Sequence, residues 1–536
     1  MNALCGEAAL HPASRRGERA GPNPWLIALV VTLATFMEVL DTTIVNVSLP
    51  YIAGSMSASN DQSTWTLTSY LVANGIVLPI SGWLSAQFGR KRYFLVCIAA
   101  FTLFSFLCGS ATSLSALIVF RLLQGFFGGG LQPSQQSIIL DTFPPAERGR
   151  AFGIVAMAII VAPVLGPTLG GWLTDHYSWR WIFFLNVPIG IVTLAGVALL
   201  VEDPPYLAAL EAERRRAGID YLGLSLIVLG FGALQVFMDR GEQEDWLGSP
   251  FIRLMGLSAL VGLAGAAVWL WRARAPVVKL KTLRDRNFAI GCLMIFATGL
   301  VLYASAVVVP LLAQTVLGYT SFLAGLLLAP GALLVIATIP LVIALMARVQ
   351  TRLIIAFGFA ALGLALFYSW RVVPDIDFST LLLMRTAQSF GLAFLFVPIS
   401  TITFATLPVA EQADGTALFT MFRNLAGSIG ISAATSLVTE RSQAHQAHLV
   451  PHLTPLDPGF TATLAQVSAF FRSHGFTARA AADQAAGWAL QALETQSSIL
   501  AYADVFAIAG AVSLLIVPLC FLLDRSKGSA AGGLPH

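Results

Sequence analysis

An all-α polytopic membrane protein, with fourteen spans grouped as six, two and six, is the fold class this sequence predicts. Three observations carry that prediction. Of 536 residues, 57% are hydrophobic and 11% charged, where an ordinary soluble domain carries roughly 25% charged residues. The apolar residues also fall into runs of about 20, the length a helix needs to cross a bilayer. Finally, the chain repeats itself. "RLLQGF" from Arg121 and "RTAQSF" from Arg385 share Arg-x-x-Gln at an offset of 264, and "PPAE" ending at Glu147 returns as "PVAE" ending at Glu411 at the same offset.

Taken in order, residues 1–24 form a polar, basic tail. The apolar segment behind it is too long for a signal-peptide core, so no cleaved leader is expected. Six spans follow near 25–50, 64–88, 93–110, 115–138, 151–174 and 181–201, making a first bundle over 25–201. A linker over 202–286 carries an extra pair near 221–238 and 252–271. A second bundle over 287–522 has spans near 287–312, 321–345, 353–369, 380–403, 415–438 and 499–522. "PISGWLSAQFGRKR" from Pro79 lines up with "PLVIALMARVQTR" from Pro340, at an offset of 261. The second six therefore copy the first, and the middle pair is an insertion. A repeated six-helix half with substrate at the interface is a secondary-transporter plan. Within the second bundle, residues 439–498 join the last two spans without a spanning run. This segment is expected to be a plain exposed loop or a small subdomain of short amphipathic helices at the outer mouth. Residues 523–536 close the chain as a second tail.

Fourteen spans put both termini on one side. Loops on that side hold 21 of the 31 Lys and Arg residues and opposite loops hold 7. The positive-inside rule then makes both termini cytoplasmic and residues 439–498 extracytoplasmic. The net charge of +3 reflects this topology and gives no reason to expect a nucleic-acid partner. Cys5, Cys97, Cys108, Cys292 and Cys520 stand singly and read as small buried hydrophobes. His445 and His448 have a metal-compatible spacing but no matched second pair nearby, so no metal site is expected. With no Walker loop and no nucleophile placed beside a base, the chain does not read as an enzyme.

The remaining cations, Arg121, Arg385 and Arg423, lie inside spans, as do Glu38 and Asp41 in "FMEVLDTTIVNVSLP". A charge at mid-bilayer costs several kcal/mol, so such residues mark function by default. Glu38 and Asp41 are one turn apart on one helix face. Asp41 lies about 24 Å along the first span from Trp25, and Arg121 about 10 Å into the fourth from the opposite face, at 1.5 Å per residue. The two levels agree, which predicts pairing between Arg121 and the helix 1 acids. A shift of the fourth helix would then load or release a proton, the plain alternative being a static ion pair. Arg385 repeats Arg121, yet its partner span "GLVLYASAVVVPLL" has no acid, which leaves Asp504 as its candidate partner. Arg423, in "MFRNLAGSIG", is expected to snorkel or pair near the cytoplasmic end.

Six motifs stand in order on these spans: "LDTTIVNVSLP", "GWLSAQFGRKR", "RLLQGFFGG", "GPTLGG", "SWRWIFFLNVPIG" and "MDRGEQEDW". With them the chain resembles the fourteen-helix drug:proton antiporter branch of the major facilitator superfamily, and most of all its EmrB subfamily, along nearly its whole length. The resemblance implies the major facilitator fold and proton-coupled efflux of lipophilic or cationic toxic compounds, with protons as coupling ion and no other cofactor. It implies that Glu38, Asp41 and Arg121 carry proton coupling and substrate contact. Gly166, Pro167, Gly170 and Gly171 would form the antiporter motif, a seal against leak. Their physical reading is close helix packing beside bends at Pro163 and Pro167. Gly82, Gly89, Arg90, Lys91 and Arg92 match the cytoplasmic loop motif. Gly89 allows a tight turn, its cations meet helix C-termini and anionic lipid, and the family reading is a latch on the outward-open state. That motif wants an Asp where this chain has Ala86, so the usual carboxylate of the latch is missing. Implied partners are the bilayer, drug-like small molecules, a periplasmic membrane-fusion protein and an outer-membrane channel, in a bacterial inner membrane. A nutrient or metabolite symporter on the same fold is the alternative.

Overall fold

The computed structural model describes residues 22–204, 207, 219–274 and 276–524. The tails expected before residue 22 and after 524, with Cys5, lie outside the described residues, as does the linker over 205–218 apart from Leu207. Three helices cross singly at the start: α1 (Pro24–Ser55), α2 (Asn60–Phe88) and α3 (Arg90–Gly109). The fourth crossing is split into α4 (Leu114–Gly128) and α5 (Leu131–Thr142), the fifth is α6 (Pro145–His176), and the sixth is α7 (Trp181–Phe184) with α8 (Asn186–Leu200). The inserted pair is α9 (Tyr221–Arg240) and α10 (Pro250–Arg272). The second bundle opens with α11 (Arg286–Thr315), followed by α12 (Ser321–Leu326) with α13 (Ala329–Met346) and by α14 (Thr351–Ser369). It continues with α15 (Phe378–Ala393) and α16 (Phe396–Thr403), then α17 (Gln412–Leu449), α18 (Pro458–Ser473) and α19 (Ala478–Cys520).

Among the described residues, 13 helical segments are long and apolar enough to cross a membrane, and α17 is not one of them. Its first half, "QADGTALFTMFR", is polar yet almost entirely buried. A helix enclosed by protein needs no apolar face toward lipid, and α17 packs between α11, α19, α2 and α5. With α17 the crossings follow the expected six, two, six order. Several helix starts are closed by side-chain caps that satisfy backbone N–H groups. Ser59 forms a capping box with Gln62, and Asp220, Asp285 and Asp377 accept from their own first turns.

Each bundle is a compact set of neighbours. In the first, α1 lies on α6 and α8, and α2 on α4; in the second, α11 lies on α17, and α14 on α15 and α19. The inserted helices pack on each other, and α9 on α2. The bundles meet where α2 and α5 face α17 and where α6 faces α12, α13 and α16.

The segment over 439–498 differs from its expected form. Most of it belongs to the two long helices: α17 continues to Leu449 and α19 begins at Ala478, and between them stand a 3-10 turn over Val450–His452 and the short α18, packed on α19. The Ala-, Gln- and Leu-rich flanks of both helices hold no proline and a single glycine, Gly487, so local propensity carries the helices past the membrane boundary.

Candidate functional site

Asp41 and Arg121 are both fully buried and form an ion pair of 2.5 Å inside the first bundle. The pairing expected from their depths is present for Asp41. Its second oxygen, Oδ1, accepts from Gln124 Nε2 at 3.1 Å and from Asn186 Nδ2 at 2.9 Å. Arg121 Nη1 also donates to Gln124 Oε1 at 2.8 Å, and its Nε donates to the Thr66 carbonyl at 3.1 Å. The guanidinium carbon lies 4.2 Å from the Tyr70 ring centroid, a cation–π contact. Gly125 lets α4 approach α2 this closely, since a Cβ there would fall 2.2 Å from the Tyr70 carbonyl oxygen. A carboxylate with three donors and one formal counter-charge is well held when ionised. Once protonated, it no longer balances Arg121.

Glu38 shares the face of α1 but not the partners. It accepts from Asn74 Nδ2 at 3.1 Å and from Gln132 Nε2, and the side-chain Oε1 of Gln132 accepts from Arg423 Nη2. One chain of side chains thus runs from α1 through α5 to α17, across the boundary between the bundles. Arg423 is 1% exposed, so the expectation that it snorkels to the cytoplasmic surface is corrected. Its flanking glycines, as at Gly427 beside Tyr303, bring α17 so close to α11 that the arginine is enclosed. Two further polar contacts extend the seam, Gln136 with Thr420 at 3.4 Å and Ser137 with Thr416 at 2.7 Å.

The repeat is visible as geometry. Arg385 Nη1 donates to Gln388 Oε1 at 3.1 Å, as Arg121 does to Gln124, and to Ser305 Oγ at 2.9 Å. Ser305 stands at the offset of 264 from Asp41, and Ser369, which accepts from Gln388 at 2.9 Å, stands at the same offset from Ser105. The second bundle keeps the arginine and replaces the acid with serine. Asp504 is not its partner: it pairs with His445 at 3.0 Å and lies 3.9 Å from Arg441. The continuation of α17 beyond 438 brings those two residues to α19 and takes the acid.

Antiporter-motif glycines lie directly against the acid-bearing helix. A Cβ at Gly166 would sit 2.3 Å from Thr43 Oγ1, and one at Gly170 would sit 2.8 Å from Ile44 Cγ1. Pro163 and Pro167 fall inside the same helix, and Gly171 is half-buried. In the loop motif Gly89 turns the chain at φ 89°. Arg90 is buried and pairs with Asp141 at the end of α5. Lys91 Nζ donates to the last-turn carbonyl of Ala198 in α8 at 2.8 Å, a helix C-terminus as expected, and Arg92 is exposed. Gly82 packs on α17, where a Cβ would lie 2.6 Å from the Ala413 carbonyl oxygen. Ala86 is buried. Next to Ala413, Asp414 forms an ion pair with Lys279 at 3.4 Å.

Neutral members of the network, Asn74, Gln132 and Asn186, were not expected from the sequence. The signal that marks them is compositional: "QPSQQ" from Gln132 puts three amides in one span, and Asn186 interrupts "WIFFLNVPIGIV".

Comparison with known proteins agrees with this architecture. The Major Facilitator Superfamily model matches residues 31–439. The multidrug export protein EmrB of Escherichia coli (strain K12) is 36% identical over 511 residues, covering 95% of this chain and 97% of its own. The EmrB protein of Haemophilus influenzae is 37% identical over 497 residues, covering 92% and 94%. The fatty acid resistance protein FarB of Neisseria gonorrhoeae is 35% identical over 507 residues, covering 95% and 97%. Among solved structures, the human organic anion transporter MFSD10 (TETRAN) superposes with a TM-score of 0.56 over 92% of this chain and 100% of that one, at 13% identity, a likeness of fold. Repeated bundles, inserted pair, motif order and full-length relatives converge, and the chain belongs to the major facilitator superfamily, among the relatives of the EmrB export proteins.

Proposed function

We propose that this multi-pass protein is a proton-coupled efflux antiporter of a bacterial inner membrane, exporting lipophilic toxic compounds, with Asp41 as the site where the proton is loaded. The observation that carries the reading is the fully buried Asp41–Arg121 pair. Protonation of Asp41 leaves Arg121 uncompensated in a water-poor interior, which drives α4 toward a new arrangement, and deprotonation draws it back. Glu38, on the same helix face, reaches Arg423 of the other bundle through Gln132. A change on α1 is thereby felt at the boundary where substrate would sit. Gly166 and Gly170 clamp α6 onto α1 two and three residues beyond Asp41, a position suited to sealing. The EmrB relatives named as multidrug export proteins support export over uptake. The excess of cations on one side supports cytoplasmic termini. No covalent chemistry is required of any residue in this scheme. The projecting α17–α19 segment is, in this reading, the surface that meets a periplasmic membrane-fusion protein and, through it, an outer-membrane channel.

The test is transport in proteoliposomes with an imposed pH gradient. A lipophilic dye should accumulate or leave in the direction opposite to proton flow, and collapse of the gradient should stop it. Movement of substrate and protons in the same direction would establish symport instead.

A further inference from the structure

Of the six motifs, "MDRGEQEDW" over 238–246 is the one with no part in the proton site, the helix packing around it or the cytoplasmic face. It closes α9 and turns the chain toward α10. The motif folds back on itself. Trp246 Nε1 donates to Glu242 at 3.0 Å, and the Trp246 ring lies so near Gly241 that a Cβ there would fall 2.4 Å from it. Asp245 and Trp246 stand at φ 58° and 41°, a region that a bulky residue keeps only where its surroundings impose it. A corner built with such strain presents two charged side chains, Asp239 and Arg240, to α2.

Both grip the same turn of that helix. Asp239 accepts from Thr68 Oγ1. Arg240, 2% exposed, donates to Thr64 Oγ1 at 2.8 Å, lies 5.0 Å from the Trp65 ring centroid and pairs with Glu244 at 3.0 Å. Thr64 and Thr68 are four residues apart on one helix face. The single proton of Thr68 Oγ1 has two acceptors in reach, the Asp239 carboxylate and the Thr64 carbonyl at 3.3 Å, and the negative charge favours the carboxylate. The same turn of α2 carries the Thr66 carbonyl, which receives Arg121 Nε at 3.1 Å. Arg121 gives its Nη1 to Asp41 and Gln124, so the bond at Nε is the further point that fixes the guanidinium plane. On its other side α9 is tied to the second bundle, where Gln235 Nε2 donates to Ser428 Oγ of α17 at 3.1 Å.

From this arrangement we propose that Asp239 is a positioning residue for proton coupling: through Thr68 it holds the turn of α2 whose Thr66 carbonyl orients Arg121 toward Asp41. The inserted pair is then a brace between α17 and the proton site. The inference rests on the proton-coupling reading only in calling Arg121 part of the coupling machinery.

The test uses the full-length protein in proteoliposomes with ethidium as probe, and compares uptake driven by an imposed pH gradient with exchange of labelled for unlabelled ethidium at equal pH on both sides. Asp239→Ala and Thr68→Val should each slow gradient-driven uptake about threefold or more, the range for a residue coupled to a site it does not touch. Exchange moves no net proton and should keep its wild-type rate. Asp239→Asn still offers Thr68 an acceptor and should recover most of the driven rate, and the double variant should be no slower than the slower single one. Thr68→Val preserves the shape of the side chain and decides the matter if Asp239→Ala does not fold. A cryo-EM map of Thr68→Val should show the Thr66 carbonyl out of hydrogen-bond reach of Arg121 Nε. Unchanged driven uptake in either folded variant, equal slowing of uptake and exchange, or an intact contact between Thr66 and Arg121 in the map overturns the assignment. Absence of gradient-driven uptake in the wild type would defeat the export reading instead, and the map then decides the placement of Arg121 by itself.

Discussion

Asp41 accepts from Arg121, Gln124 and Asn186, so its charge and its shape are separable by one substitution. Asp41→Asn keeps the outline of the side chain, removes the titratable group and leaves Arg121 without its counter-ion. Proton uptake on substrate release, followed with a pH indicator in detergent, should vanish in this variant while its elution as a folded protein is retained. Glu38→Gln loses a charge that faces a neutral amide, so it should keep proton uptake and alter which compounds are carried. Proton uptake that persists in Asp41→Asn would move the coupling site elsewhere. The charged half of this network was legible in the sequence, because a carboxylate or guanidinium in an apolar run is improbable without a role. The neutral half was not. Asn74, Gln132 and Asn186 carry no comparable penalty, and only the folded positions show that they complete the acids' coordination. That Arg423 is enclosed and bonded to Gln132 instead of snorkelling was hidden for a related reason. A sequence gives depth along a helix but not what surrounds it, and α17 proves to be enclosed.

Helices as elements were legible from hydropathy wherever they face lipid, and their breaks and ends were not. The fourth crossing divides at Gly129 and Gly130 and the last two helices run past the expected limits, because local propensity, not bilayer thickness, sets where a helix stops once it leaves the membrane. The "GPTLGG" element is where sequence and structure agree in detail. Its small residues press α6 against Thr43 and Ile44, one turn or less beyond Asp41. Gly166→Ala would force a methyl group to within 2.3 Å of Thr43 Oγ1, and overpacking of this kind costs about 1–3 kcal/mol. The expected outcome is a lower unfolding temperature together with faster decay of a pH gradient in substrate-free proteoliposomes, since α6 must lift from α1 beside the proton site. Gly487→Ala, in α19 with open space around its Cβ, is the control. It should leave the gradient intact and stabilise the helix by up to about 1 kcal/mol. Loss of stability without extra leak in Gly166→Ala would reduce the motif to packing.

For the whole molecule, two bundles and an inserted pair account for nearly all of the chain, and the projection built from the ends of α17 and α19 with α18 is what remains. A connection between antiparallel helices needs only about 2–8 residues, so joining the two crossings does not require it. It carries apolar side chains into the open: Leu456 is 91% exposed, Phe470 59%, Phe476 44% and Trp488 43%. Of these, Phe470 stands on α18 and Trp488 on α19, and exposed aromatic groups held on a helix are what a protein partner's pocket recognises. The base of the projection is fastened by His445 and Asp504, so its tip can be removed without loosening the two crossings. Replacing residues 454–476 with a Gly/Ser linker should therefore spare dye uptake into inverted membrane vesicles, lower drug resistance of whole cells severalfold, and abolish copurification of a membrane-fusion protein from the native membrane. Equal loss in vesicles and in cells would place the projection inside the transport unit, and no loss in either would leave it a solvated connection.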